Sequence, residues 1–373
     1  MTLPPFKLER YFAEYEFATR YLLSSSDCDG LAQRELLSMA DSETQALWDH
    51  LTLGYTESTG HPLLRQEIAR LYQGIAPGEC LTVVPEEGIY IAMHSILQKG
   101  DHVICTFPGY QSLYQVAAGL GCEVTRWMPD EASGWTFDVD FLEPSIRQDT
   151  KLVIVNFPHN PTGSLPARAD YERIIDLARR HHLYLFSDEM YRFLEYDPAD
   201  RLPSACEQYE RAVTLFGMSK TFGMAGVRLG WVVTRDADLY ARMAAFKDYT
   251  TICGSAPSEI LSIIALRAKE KIIAMHLARL QRNLGLLDRF FADFRDLFEW
   301  VRPKAGTIAF PRYKGTQSTL DFCQQVVQEA SIMLLPSAVY DYDNRHIRLG
   351  FGRENMPEAL EKLRGYLETR HGF

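Results

Sequence analysis

The chain is 373 residues long, 46% apolar and 24% charged, with a formal net charge of -10. That composition suits one large or two moderate globular domains, and its acidic balance excludes a nucleic-acid surface, which needs clustered basic residues. No window is apolar enough to span a membrane, so the expected partner is a small molecule. Seven cysteines, scattered and without a C-x-x-C pair, predict reduced thiols rather than disulfides or structural zinc, and no metal site is expected. Charges at Lys7, Glu9 and Arg10 with no apolar run beside them argue against a secretory leader, and a cytoplasmic location is expected.

In chain order, residues 1–45 alternate aromatic and polar (YFAEYEFATRYLLSSSDCDG) and predict an extended arm followed by a short helix over 31–39. Tyr55, Gly60 and Pro62 lead into a helical face of Leu63, Leu64, Ile68 and Leu71, expected to end at Gly74. From Leu81 onward the short β-rich runs LTVV, HVICT, EVTRW, KLVIVNF, LYLFSD, AVTLFG and RLGWVV recur, several separated by helical patterns such as 89–97 and 171–180. This alternation predicts an α/β fold, a mostly parallel central sheet with helices on both faces. Residues 257–291 carry no strand signal and predict a long helix joining two domains. FEWV, GTIAF, SIMLLP and HIRLGF, interleaved with helical patterns at 320–329 and 357–368, predict a smaller α+β unit on which the N-terminal arm packs. The expected division is 46–264 for the large domain, and 1–45 with 265–373 for the small one.

Open α/β sheets bind ligands at the carboxyl ends of their strands, and several runs place reactive side chains there. AVTLFG leads through Ser219 to Lys220, and a lysine drawn out of water at that edge loses basicity and becomes a nucleophile. A phosphate-loop reading fails because Ser219, not glycine, precedes the lysine. LYLFSD ends at Asp188, with Glu189, Met190 and Tyr191 after it. Such a carboxylate can cap a helix, or it can hold a pyridine nitrogen protonated, as carbanion chemistry on pyridoxal phosphate requires. KLVIVN runs into Phe157-Pro158-His159-Asn160-Pro161-Thr162-Gly163, turn chemistry in which Asn160 supplies an amide donor and His159 reads as a packed loop residue. HVIC leads to Tyr110, whose ring can stack on a flat ligand. Arg228 and Arg348 both sit in β-like, apolar surroundings, where a guanidinium needs an anion.

Over about Tyr55 to Arg353 these motifs together resemble the class I/II aminotransferases, pyridoxal-phosphate enzymes of fold type I. The resemblance implies that Lys220 forms the Schiff base with the cofactor and that Asp188 partners its pyridine nitrogen. It further implies Tyr191 and Asn160 at the 3-oxygen, Tyr110 stacked on the ring, and Ser219 and Arg228 at the phosphate. Arg348, helped by Asn160, would take the substrate α-carboxylate, and Tyr55 would reach the phosphate of a neighbouring subunit in a homodimer with shared sites. The implied activity moves an amino group between an amino acid and a 2-oxo acid.

Two departures from the family carry expectations of their own. A small-residue turn is replaced by Val84-Pro85-Glu86-Glu87-Gly88, where a helix starting near Gly88 offers an anion site and Glu86 and Glu87 are expected to lend backbone rather than side chain. Gly217 stands where a second phosphate-binding serine is usual, leaving Thr214 or Ser219 to compensate. The Pro-His-Asn-Pro run is also similar to that of β-cystathionase-type C-S lyases, so elimination, cyclisation or oxidation on the same scaffold is the alternative. A non-catalytic ligand sensor ranks last, since the stretch before Tyr55 is too short for a DNA-binding module. The arm aromatics Tyr11, Phe12, Tyr15, Phe17 and Tyr21 are expected either to close over the site or to pack in the core, with Glu16 or Asp27 facing a basic or polar substrate side chain.

Overall fold

The computed structural model describes residues 2–371; Met1, Gly372 and Phe373, the outermost residues of the predicted smaller unit, lie outside the described residues. All seven predicted β-runs from Leu81 onward join one sheet. Its strands are β1 (Cys80–Val83), β2 (His102–Thr106), β3 (Glu123–Trp127), β4 (Thr150–Asn156), β5 (Tyr184–Asp188), β6 (Ala212–Gly217) and β7 (Gly230–Val233), in the spatial order β1-β7-β6-β5-β4-β2-β3. Neighbours from β3 through β6 pair parallel, and β7 is inserted antiparallel between β6 and β1. Six strands therefore end at one edge, and β7 starts from it.

The pleat sends alternate residues to opposite faces. Val103, Cys105, Leu152, Ile154 and Leu215 pack under the helices Pro85–Ile96 and Ser112–Leu120. Ile104, Val153, Val155 and Leu185 pack on the other face against the helix Arg168–Arg180, and on that face Phe216 and Trp231 meet the helix Ala256–Arg267. Burial on both faces is why these strands read as continuous apolar runs rather than alternating ones.

Two helices differ from expectation. Pro85–Ile96 begins three residues before Gly88, because proline suits a first helical turn and the Glu87 carboxylate reaches back to the Val84 N–H at 3.1 Å. The predicted long helix is two, Ala256–Arg267 and Lys269–Asp293, hinged at Ala268. Arg267 at the break is anchored to Asp41, Glu43 and Glu67 at 2.7, 2.8 and 2.9 Å, a tertiary restraint that no local residue preference announces.

The smaller unit holds an antiparallel three-stranded sheet of Ile308–Ala309, Ile347–Gly350 and Leu335–Pro336. Its core, including Leu284, Phe290, Phe322, Leu349 and Leu363, draws on the helices Lys269–Asp293, Thr319–Ala330 and Met356–His371. The arm is bound to it, with Tyr21–Leu22 pairing parallel with Ile332–Met333 and the helix Lys7–Tyr15 setting Leu8 and Tyr11 against Met333 and Tyr340. Farther along the chain Leu36 packs instead with Phe216 and Trp231 on the large sheet. The seven cysteines are free thiols, and no described helix is long and apolar enough to cross a membrane.

Candidate active site

Beyond the ends of the parallel strands lies a cavity of about 370 Å³. Each connection contributes to its wall: Glu86 after β1, Tyr110 after β2, Asn156 and Asn160 at β4, Asp188 and Tyr191 at β5, Ser219 and Lys220 after β6, and Arg228 just before β7. Arg348 arrives from the smaller sheet, and the arm closes the space with residues of its helix and with Ser25, Ser26 and Asp27. Strand polarity alone thus gathers eight of the twelve predicted site residues, and Arg348 makes a ninth.

Lys220 is half-buried, and its amine donates to Ser26 Oγ at 2.8 Å. Burial lowers its pKa, a shift that Asp27 opposes and Arg348 reinforces. Asp188 is 5% exposed, and its carboxyl accepts one hydrogen bond, from the Met190 N–H at 3.1 Å. Burial pushes its carboxyl up to about 7, against the pull of that N–H and of Lys220. Burial likewise raises the Tyr191 phenol, against the opposing influence of Arg348.

Arg348 is 1% exposed. Its guanidinium donates to Tyr340 Oη at 2.5 Å, to the Ser24 carbonyl at 2.7 Å and to Asn160 Oδ1 at 3.5 Å, while Nε has no partner. Every one of these acceptors is neutral. A buried cation facing neutral groups is a standing binding site for a carboxylate.

Other residues stand differently from the sequence expectation. Arg228 is exposed and left-handed, with φ +52°, at the end of the short turn Ala225–Val227; because β7 begins only at Gly230, the residue belongs to a loop rather than to a buried strand. The Glu86 side chain does not turn away. It lines the cavity and accepts from the Ser112 hydroxyl, and burial raises its pKa. Glu87 does turn away, toward the Thr251 N–H at 3.1 Å and hydroxyl at 2.7 Å. Gly88 lets its helix lie close on the sheet, where a Cβ would come within 2.9 Å of Val83 Cγ2 and 3.1 Å of Leu215 Cδ1.

Thr214 cannot compensate for a missing serine, because its hydroxyl is fully buried among Glu189, Ser204 and Cys206. Nor is there room at Gly217, where a Cβ would lie 2.8 Å from Gly230 Cα and 3.3 Å from Pro85 Cγ. Pro85 packs over both glycines. His159 is buried, hydrogen-bonded to Thr162 at 2.8 Å and lowered by burial to about 3. Tyr55 is 93% exposed and outside the cavity.

The arm aromatics divide. Phe12 lines the cavity, Tyr11, Tyr15 and Tyr21 pack in the core, and Phe17 is exposed. Sequence reasoning missed Ser25, Ser26, Asn156 and Tyr340. The triple serine at 24–26, set among apolar residues, was the available signal for the first two.

Comparison with known proteins places this geometry. The family model "Aminotransferase class I and II" matches residues 20–363. Capreomycidine synthase of Streptomyces vinaceus is 27% identical over 98% of this chain and 95% of its own. An aspartate aminotransferase of Pyrococcus horikoshii is 26% identical over 86% and 84%. Among solved structures, a PLP-dependent aminotransferase from Streptococcus suis superimposes with a TM-score of 0.92 at 28% identity, covering 99% of each chain. The PLP-dependent cyclase OrfR gives 0.90 at 25%, covering 99% of this chain and 98% of its own. A lysine, a carboxyl and a guanidinium brought to one sheet edge, in a chain matched along nearly its whole length, have one reading: this chain belongs to the class I and II aminotransferases.

Proposed function

We propose that the chain is a pyridoxal-phosphate-dependent aminotransferase, moving an amino group between an amino acid and a 2-oxo acid, in which Lys220 is the lysine linked to the cofactor. One observation carries this reading: a single cavity is lined by an amine of lowered basicity, a buried carboxyl short of partners and a buried guanidinium with only neutral ones.

The donor set fits that cofactor. Asp188 would stand at the pyridine nitrogen, Tyr191 and Asn160 at the phenolic oxygen, and Tyr110 on the ring face. Ser219, Arg228 and the N–H groups of Glu86 and Glu87, which precede the first bond of their helix, would hold the phosphate. Tyr55, so exposed on one chain, would serve the phosphate end of the other site in a homodimer; Leu53 and Tyr249, 86% and 91% exposed, support such an interface.

When bound, pyridoxal phosphate supplies an aldehyde that captures amines and a cationic ring that accepts charge from the substrate Cα. Lys220, its basicity lowered by burial, would take the Cα proton and return it. Ser26 positions that amine. Asp188 would be held as the carboxylate against the ring cation, which would lower its raised pKa once the site is filled. Arg348 grips the α-carboxylate through charge-assisted hydrogen bonds worth about 1.5 to 3 kcal/mol each.

The synthase and cyclase relatives favour a second reading, elimination or cyclisation on the same scaffold. The apolar cores support the division into 46–264 and 1–45 with 265–373, with Leu36, Leu266 and Ile272 crossing one way and Tyr191 and Leu194 the other. The free, mostly buried thiols support a reducing, cytoplasmic setting. The test is direct: protein loaded with the cofactor should be yellow and become irreversibly modified at Lys220 on borohydride treatment. A panel of amino donors and 2-oxo acids then separates transfer from elimination, which releases ammonia without an acceptor. A colourless protein with no modified lysine would overturn the reading.

A further inference from the structure

The cavity holds charge of both signs. Arg348 gives it a buried positive charge. From the arm, Glu9, Glu16 and Asp27 line the wall, close enough that the charges of Glu9 and Asp27 act on Glu16. Lys220 and Arg228 line the same cavity but are the groups the cofactor would take up, and the other cations near the acidic group are already committed. Arg353 is taken by Asp27 at 3.0 Å and lies 3.6 Å from Asp29, while Lys7, two residues from Glu9, is paired with Asp341. Among the described residues Glu16 and Glu9 form no ion pair, and Glu9 accepts only from the Tyr110 hydroxyl, at 3.2 Å. Burial and its acidic neighbours raise the Glu16 pKa, with Arg353 and Lys220 acting the other way.

Acidic walls alone do not make a site, and an independent sign comes from groups left unsatisfied in the same cavity. Ser25 is 2% exposed and lines it, and its hydroxyl has no hydrogen-bond partner. Arg348 Nε is in the same condition. Tyr191 Oη is a third such atom on this cavity. An unpartnered arginine Nε also occurs away from the cavity, at Arg192 and Arg211, so it is the Ser25 hydroxyl, next to Ser26 and Asp27 in the chain, that stands out as a bond for a ligand to supply.

We infer that the amino donor carries a side chain ending in a cation, an ammonium or a guanidinium, seated among Glu9, Glu16 and Asp27 while Arg348 holds its α-carboxylate. This rests on the function proposed above and names its substrate class. A donor with a distal carboxylate would add a negative charge beside the two unpaired glutamates, with Lys220 and Arg228 taken up by the cofactor. An apolar donor would leave the two unpaired glutamates facing it uncompensated.

The test uses the cofactor-loaded protein and reads equilibrium binding from the visible cofactor band, with L-lysine, L-arginine, the neutral near-isostere L-norleucine and L-glutamate as ligands. Wild type should bind lysine or arginine at least about tenfold more tightly than norleucine, and glutamate most weakly. In the Glu9→Gln/Glu16→Gln double variant that ratio should fall to within about threefold. Glu16→Lys, a change at a half-buried rim position, should reverse the order and favour glutamate over lysine. Equal binding of norleucine and lysine by wild type, or a ratio unchanged in both variants, would overturn the inference while the cofactor reading stands. Failure of the wild-type protein to form any visible band would overturn both.

Discussion

Asp188 and Glu189 are consecutive, and both are almost fully buried at the end of β5, yet the pleat sends them into opposite surroundings. Glu189 receives the Ala205 N–H at 2.9 Å and the hydroxyls of Ser204, Ser187 and Thr214 at 3.0, 3.1 and 3.3 Å, with Arg192 at 3.4 Å. Asp188 receives a single N–H and opens onto the cavity. Their arginines repeat the contrast. Arg192 is paired with Glu189, whereas Arg348, equally buried, faces only neutral oxygens. A charge buried to hold the fold together is met by an opposite charge, even though Arg192 Nε, like Arg348 Nε, has no hydrogen-bond partner. One buried for chemistry is left incomplete, and the shortfall is the part a ligand fills.

Substitutions on the two sides should break or sharpen that contrast. The largest effect is expected at the reacting amine: Lys220→Ala should lower turnover roughly a thousandfold or more and abolish borohydride modification, with the fold intact by circular dichroism. Next comes the saturated side. Glu189→Ala strands Arg192 and should cost about 3 to 5 kcal/mol in urea unfolding. Arg348→Lys loses the planar fork and should raise KM about ten- to a hundredfold with little change in kcat.

The open carboxyl has its own signature. Asp188 holds its proton up to about 7 when folded but only to near its usual 3.8 when unfolded, so cofactor-free protein should lose stability as pH rises through that window. Asp188→Asn removes this slope and should be about 1 to 3 kcal/mol more stable than wild type at pH 8, with the difference vanishing below pH 4. A variant less stable than wild type at pH 8 would place Asp188 with the saturated group. The smallest effect is expected for Ser26→Ala. Loss of one hydrogen bond to the lysine, worth about 0.5 to 1.5 kcal/mol, should shift the pH-rate profile and slow turnover only a few-fold.

The large sheet was legible because burial on both faces writes each strand as a short apolar run, and strand polarity then put Lys220, Asp188, Asn160 and Tyr110 on one edge. Two-residue strands such as Arg312–Tyr313 were not, since only tertiary pairing with Phe298–Glu299 defines them. The break at Ala268 escaped because alanine is a good helix former and the restraint lies in the distant partners of Arg267. Arg228 misled because its flanking valine and leucine read as strand, while the backbone there adopts a conformation that residue type rarely predicts. Ser26 reaches the cavity, and Tyr340 the Arg348 guanidinium, only through the docking of the arm and the smaller sheet, a long-range outcome with no local signature.

The stacking of Pro85 on Gly217 and Gly230 bears on how such a chain changes over time. A side chain at 217 would meet the Gly230 Cα at 2.8 Å and the Leu229 carbonyl at 3.1 Å before it met the ring at 3.3 Å, and one at 230 would meet the Phe216 carbonyl at 2.8 Å and the same ring at 2.9 Å. The two glycines are interlocked through backbone, so a lineage with this arrangement does not regain the hydroxyl by relinquishing the proline. A laboratory attempt to restore Gly217→Ser should yield a poorly folded protein whether or not Pro85→Gly accompanies it.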